Sequence, residues 1–527
     1  MKIFSRERVS KGALAYTLPL ASAIWYTFRI EEMGKTLGTP EGQFLYLSDI
    51  PAILVIWIFS AGVLSCLLHR ILPVRFLAEP DEDRKFFLPC FFFMVLWNFP
   101  FLLAFYPAPG MNDTVFMMDN PLWGAVQFPW LYSVIYGYGS QWGKEFFGSR
   151  ESVIFILSLL QLLVYDYGLT GIAFRVRRKF GKIPGIFLWA YFAFFPMIGN
   201  YGIAAVRDGL FSLALLLSVI LIADEEEWGK KQYILLSLSF LGMMLLRSNG
   251  IFISFFLCGA VIYLLKKWKK PLLLFLLCAA VSIVPGRAIL SYHDWEPHFQ
   301  ESMAVPLQQL GRVLVMDGYR SEETKALMNE LLAEDQWKAN YYPETVDFVK
   351  WHDDFRRNSL NREKKRFLLC WLDTGLHNPR IYMEGWMTET YSLWNVIPDA
   401  PDVQSRFGWA LSDENTKNMK PADNDNLAVG SFPMAMTLKS FLVNLEWEGS
   451  HFMGPGLCQW LTLLLCLLFY GRGNRKGILA AVPLLANTLT LLVSTPASAV
   501  FRYSFAYVLG LPVLLIYFLY QDNSSSR

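Results

Sequence analysis

Charge is scarce in this 527-residue chain: Asp, Glu, Lys and Arg make up 17% of it, against roughly 25% in soluble domains. With a mean hydropathy of +0.32, such a chain cannot hide its apolar surface in one aqueous core. The net charge of +2 is too near zero to point to a polyanion, so no nucleic acid partner is expected. Cysteine is sparse as well. Of the seven, Cys66, Cys90, Cys258, Cys278, Cys458 and Cys466 lie in or beside apolar runs, where they act as small hydrophobes, and Cys370 alone sits in a polar stretch. No CxxC or other zinc spacing occurs, which argues against a disulfide framework and thiol chemistry. Phosphate-binding loops, dinucleotide fingerprints and Ser-His-Asp spacing are missing too, as are internal repeats and low-complexity tracts.

Long hydrophobic runs are what the chain has instead. A helix needs about 20 apolar residues to cross a bilayer, and that criterion yields about twelve candidates. They lie near 11–29, 49–69, 86–106, 152–172, 184–201, 209–223, 232–247, 250–265, 271–287, 455–470, 477–494 and 499–519. The amino terminus is basic then apolar like a signal peptide, but a second apolar run follows, so it is read as a retained first helix. With that terminus inside, the short-loop basic clusters "SRER", "HRILPVR", "RVRRKFGK", "WGKK", "KKWKK" and "GRGNRKG" all fall on the cytoplasmic side. The fold class expected is an all-α polytopic membrane protein with a mainly helical extracytoplasmic domain. Three regions follow: 1–287, a membrane domain with an outer loop at 107–151; 288–450, the outer helical domain; and 451–527, the closing membrane helices.

Within the outer region, Ser321 reads as a helix N-cap and Asn378-Pro379 as a helix stop. "RIYMEGWMTETYSLW" reads equally well as a membrane-surface helix or as part of the domain's packing, and residues 432–446 as a second surface segment. Charges within the spans are few. Asp166 is expected near the cytoplasmic end of its span, which weakens an ion-coupled transport reading.

The distinctive charges gather on the outer face. Arg207, Arg247, Arg287 and Arg502 stand at outer ends of four different helices, against the inside bias for basic residues. Singly each reads as a snorkelling anchor; together they would bind a lipid phosphate through charge-assisted hydrogen bonds. Asp113 follows a Pro-Ala-Pro-Gly turn in "YPAPGMNDTVFMMD". It could take a proton as general base or merely cap the helix that follows. Asp208, in "AVRDG", favours a local pair with Arg207, while Asp119 and Asn120-Pro121 read as turn residues. His293 and His298 make a weak metal site, because Pro297 interrupts helical spacing. The sequence neither requires a divalent metal nor removes room for one.

"YPAPGMNDT", "AVRDG", "LLRSNG", "FRYSFAYVLGLP", "ESMAVPLQQLGRVL" and "LLCWLDTGLHNPRIYMEGWMTETYSLW" together resemble segments of the GT-C class of polytopic glycosyltransferases, in a bacterial group whose members mostly lack assigned substrates. The resemblance covers about 90–490. It implies a polyprenyl-phosphate sugar donor, a glycan or lipid acceptor of the cell envelope, and inverting transfer outside the bacterial plasma membrane. Carried over by motif, Asp113 matches the catalytic acid of the first large outer loop. Arg207 and Asp208 match a charged pair, while Arg247 with Asn249 and Arg502 with Tyr503 match motifs facing the lipid phosphate. Two features depart from the pattern: "QFPWLY" stands where a His-Pro pair often follows the acid, and two extra spans precede the loop. A flippase or polysaccharide transporter for lipid-linked glycans is the alternative, and a polysaccharide polymerase a third.

Overall fold

The computed structural model describes residues 6–72, 76–224, 228–397, 409–410, 434–498 and 501–521. Helices account for nearly all of it; among the described residues the strands are two-residue pieces, Phe76–Leu77 parallel to Tyr520–Gln521 and Pro109–Gly110 antiparallel to Trp409–Ala410. The chain is an all-helical, multi-pass membrane protein. Among the described residues each of the twelve apolar stretches forms helix, but by length and composition six of these helices can cross a bilayer, or seven if one bent pair is a single span. Arg6–Met33, at 28 residues, is long enough but not apolar enough; for four others the reason is length. Asp208–Asp224, Lys230–Leu246 and Pro455–Gly471 have 17 residues each and Gly250–Leu265 has 16, and at 1.5 Å per residue they fall short of a core of about 30 Å.

The run read as a straight span at 184–201 is broken. Lys182–Phe194 and Pro196–Ile203 meet at 61°, with Phe195 extended at φ −78°, ψ 113° between them, because a residue before proline is pushed out of the α region. The helix that carries Asp166, Glu151–Phe180, runs past the apolar stretch; Asp166 stands at its middle, 1% exposed, accepting from Asn98 Nδ2 at 3.4 Å. The added turns are held by ion pairs, Arg175 and Lys179 to Asp224 and Arg177 to Asp81.

Burial ranks the spans. Asp208–Asp224 is apolar all round and sits in the main core against Lys230–Leu246, Arg475–Ser494 and Ala506–Leu519, as a helix without a polar stripe must. Leu47–Ile71 and Lys269–Tyr292 are apolar yet scarcely buried by the chain itself.

In the outer region, Ser321 caps Glu322–Leu331 by accepting from Thr324 N, and Lys364–His377 stops before Asn378-Pro379. The aromatic stretch after it packs inward. Pro379–Glu389 lies on Ala304–Val315, and Tyr391 and Trp394 join Trp460 of a membrane helix. Ala435–Phe452 likewise packs on the Phe87–Ala104 helix. Residues 398–408 and 411–433 of the region taken as 288–450 lie outside the described residues.

Candidate functional site

The outer loop places Asp113 through two backbone tethers. After the Phe87–Ala104 helix, Pro109 O accepts from Ala205 N at 2.8 Å, and Ala205 O accepts from the buried Thr114 hydroxyl at 2.6 Å. The Pro-Ala-Pro-Gly turn is thereby bonded to the very turn that carries Arg207. Asp113 falls in the first turn of Asn112–Asp119, but Met111 occupies the N-cap position. The carboxylate reaches other helices instead of capping its own.

Arg502 Nη1 donates to Asp113 Oδ2 at 2.9 Å, and Arg207 Nη2 lies 3.7 Å from the same oxygen. Arg247 pairs with Asp208, which is 1% exposed. The expected local pair of Arg207 with Asp208 does not form, because neighbouring residues at a helix start diverge by about 100°. Glycines make both turns possible. A Cβ at Gly209 would lie 2.4 Å from Tyr201 O, and one at Gly250 would lie 2.0 Å from Met243 O; "AVRDG" and "RSNG" bring Arg207 and Arg247 in only because the backbone is bare there.

Aromatic rings hold the guanidinium groups in place. Arg247 lies 3.9 Å above the Tyr503 ring, Arg207 lies 4.3 Å above Phe128, and Arg502 Nη2 donates to the Tyr503 hydroxyl at 3.1 Å. Stacking of this kind fixes a cation without neutralising it. Three guanidinium groups meet two carboxylates, leaving one positive charge over. Arg207 Nη1 and Arg502 Nε are buried with no hydrogen-bond partner. Burial works against ionisation of Asp113, yet the charges of Arg502, Arg207 and Arg247 outweigh it and hold the carboxyl below its ordinary value. Its side chain keeps 28% exposure, so this carboxylate, unlike Asp208, stays accessible.

Asn249 stands apart from the charges. Its amide donates to Thr490 Oγ1 (2.8 Å) and Asn487 Oδ1 (3.2 Å), and Asn487 in turn donates to Tyr503 O (2.8 Å). It positions the Arg502–Tyr503 segment. Arg287 is exposed and joins none of these contacts. Asp119, read from the sequence as a turn residue, is instead the last residue of the Asn112–Asp119 helix, at the surface and paired with Arg150 at 3.1 Å. Among the described residues no three His, Cys, Asp or Glu side chains gather to hold a metal, and His293 stacks on Trp295 rather than meeting His298.

Reasoning from sequence misses Thr114, Phe128 and Asn487. Phe128 carries a signal: it stands in "QFPWLY", where the motif departs from its expected form, and the departing residue supplies the ring beneath Arg207.

No curated protein and no solved structure matches the chain. The model of a family described as a family of unknown function (DUF6020) matches residues 125–527, and the chain belongs to that family.

Proposed function

We propose that this protein is a membrane glycosyltransferase of the GT-C type with about twelve membrane-embedded helices, the shorter ones included. It moves a sugar from a polyprenyl-phosphate donor to a cell-envelope glycan or lipid acceptor, on the outer face of a bacterial plasma membrane whose inner face holds the amino terminus. The observation that carries the reading is the surplus positive charge of the Arg207–Arg247–Arg502 cluster around one accessible carboxylate.

In the free protein Asp113 is a poor base, since two guanidinium groups hold it. A donor phosphodiester carries one negative charge, which matches the surplus and competes with Asp113 for Arg502 and Arg207. The carboxylate is released as the leaving group settles. An acceptor hydroxyl then attacks the anomeric carbon and gives its proton to Asp113, while the bond from that carbon to the phosphate oxygen breaks with inversion. The departing phosphate gains a second negative charge as Asp113 loses its own, so the cluster stays neutral throughout. Electrostatic stabilisation of this type is worth about 3–4 kcal/mol per preorganised donor.

Replacing Asp113 with Asn tests the reading: transfer from labelled polyprenyl-phosphate sugar in membranes should fall about 10²–10⁴-fold, the span of general base catalysis. Retained turnover at normal expression would overturn Asp113 as the base, and absence of transfer by the wild type would overturn the transferase reading. A flippase without chemistry needs charge along a path through the bilayer, and Asp166, the mid-helix acid, is sealed at 1% exposure.

A further inference from the structure

The outer region holds a second polar group that the transfer step leaves unused. It begins where His298 N donates to Val126 O at 3.2 Å, so residues 298–301 abut the loop that carries Phe128. Glu301 Oε2 accepts from Lys350 Nζ at 3.1 Å, and Lys350 also lies 3.0 Å from Asp347 Oδ1. Lys350 is sealed at 1% exposure, whereas Glu301 and Asp347 keep 27% and 33%. One side of this triad is open.

Behind it, Glu301 Oε1, His298 Nδ1 and both ends of the Gln300 amide are buried and make no hydrogen bond. Buried polar groups are nearly always paired, so a cluster of unpaired ones asks for a missing partner. Beside it stand two Trp rings that are neither buried nor needed for the core. Trp123 is 39% exposed and Trp351 36%, and they meet the His298 ring edge-on at 6.0 Å and 5.7 Å.

The turn before Asp347 is bonded to the segment that precedes Arg502. Thr345 Oγ1 donates to Pro496 O (3.0 Å) and Ser498 N donates to Glu344 O (2.7 Å), just before Arg502 in the chain. Burial, with the negative charges of Asp347 and Asp113, raises Glu301 above its ordinary value against the pull of Lys350. Glu301 therefore feels the catalytic carboxylate.

Charge narrows the ligand. The two carboxylates are matched by Lys350 and by Arg357, which lies 4.9 Å over the Trp351 ring, so neither a strong anion nor a strong cation has much to gain. Carboxylate and amide groups accept and donate to hydroxyls, while exposed aromatic rings cover the apolar C–H face of a pyranose. We propose that Glu301 and Asp347, held by the buried Lys350, bind a neutral sugar residue of the acceptor glycan together with Trp123 and Trp351. Naming that sugar as the acceptor rests on the transferase reading; its binding does not.

The test uses the full chain in detergent, titrated with glucose, galactose, mannose, N-acetylglucosamine and their disaccharides, and followed by tryptophan fluorescence and saturation-transfer NMR. Saturable binding of at least one is expected, weakened about tenfold or more in Glu301→Gln and in Trp351→Ala. Trp351→Phe serves if the alanine variant does not fold. No saturable binding by any of these sugars, or unchanged affinity in the folded variants, would overturn the site. Asp113→Asn should bind sugar normally. If the wild type binds sugar but transfers none from the labelled donor, the transferase reading fails while this site stands; if it transfers sugar but binds none of these, the reverse holds.

Discussion

Two buried clusters of charge behave in opposite ways. Arg312 and Glu384 in the outer region are both 0% exposed and pair at 3.1 Å. Arg312 also donates to Leu37 O and Gly42 O, and Glu384 Oε1 accepts from Phe44 N and Leu45 N at 3.1 Å each. Arg380 Nε also approaches Glu384 Oε1 at 4.0 Å, and backbone groups take up most of the remaining capacity on both sides, Arg312 Nε excepted. The Arg312–Glu384 pair is a clamp joining residues 37–45 to the helices Ala304–Val315 and Pro379–Glu389. The Asp113 cluster has three cations for two anions and leaves its carboxylate 28% exposed. A charge pair sealed from solvent holds a fold together, whereas one with an accessible carboxylate is open to a ligand.

Breaking each cluster should separate the two roles. The largest effect on stability is expected for Glu384→Ala, which strands Arg312 in a dry site and costs about 3–5 kcal/mol, read as loss of folded protein in a thermal melt. Arg502→Ala should cost about 10²–10³-fold in transfer while the melt moves far less, because Arg207 still faces Asp113. Equal losses of stability in both variants would erase the contrast. Thr114→Val should be milder. It leaves Ala205 O without its donor, at about 1–3 kcal/mol, and should lower turnover by loosening the turn that sets Asp113 opposite Arg207.

The smallest effect concerns pH. Because the folded-state pKa of Asp113 is lowered, its pairs contribute stability that is present above the ordinary carboxylate value of about 3.9 and lost as pH falls through the folded value. The acid limb of kcat/KM, which reports the free enzyme, is expected below that ordinary value. The limb of kcat should lie higher, since the bound phosphate draws the arginines away. Coincident limbs would contradict release of the carboxylate by the donor.

Parts of this arrangement are legible in the amino-acid sequence. Asp113, Arg207, Arg247 and Arg502 stand out because each sits at the outer end of an apolar run, and apolar runs locate themselves by local composition. Asn249 is harder, since a polar residue beside an arginine in "RSNG" gives no sign whether its amide turns to the ligand or to Thr490. Arg287 looks like its three companions, and only packing separates this exposed residue from the buried Arg207 and Arg502 and the partly buried Arg247. The span count fails for a plain reason. Composition marks a helix as apolar, but a 16- or 17-residue helix is too short to cross unless its neighbours and the bilayer adapt.

The sequence by itself determined the class of the molecule: helical, membrane-embedded, poor in charge, with cations at one face. These are sums of local free energies of transfer, and each residue contributes to them almost regardless of its partners. The tertiary structure alone decided which cation answers which anion. Asp113 and Arg502 are 389 positions apart, and a Coulomb interaction depends on distance in space and on exclusion of water. Neither exists until the helices have packed.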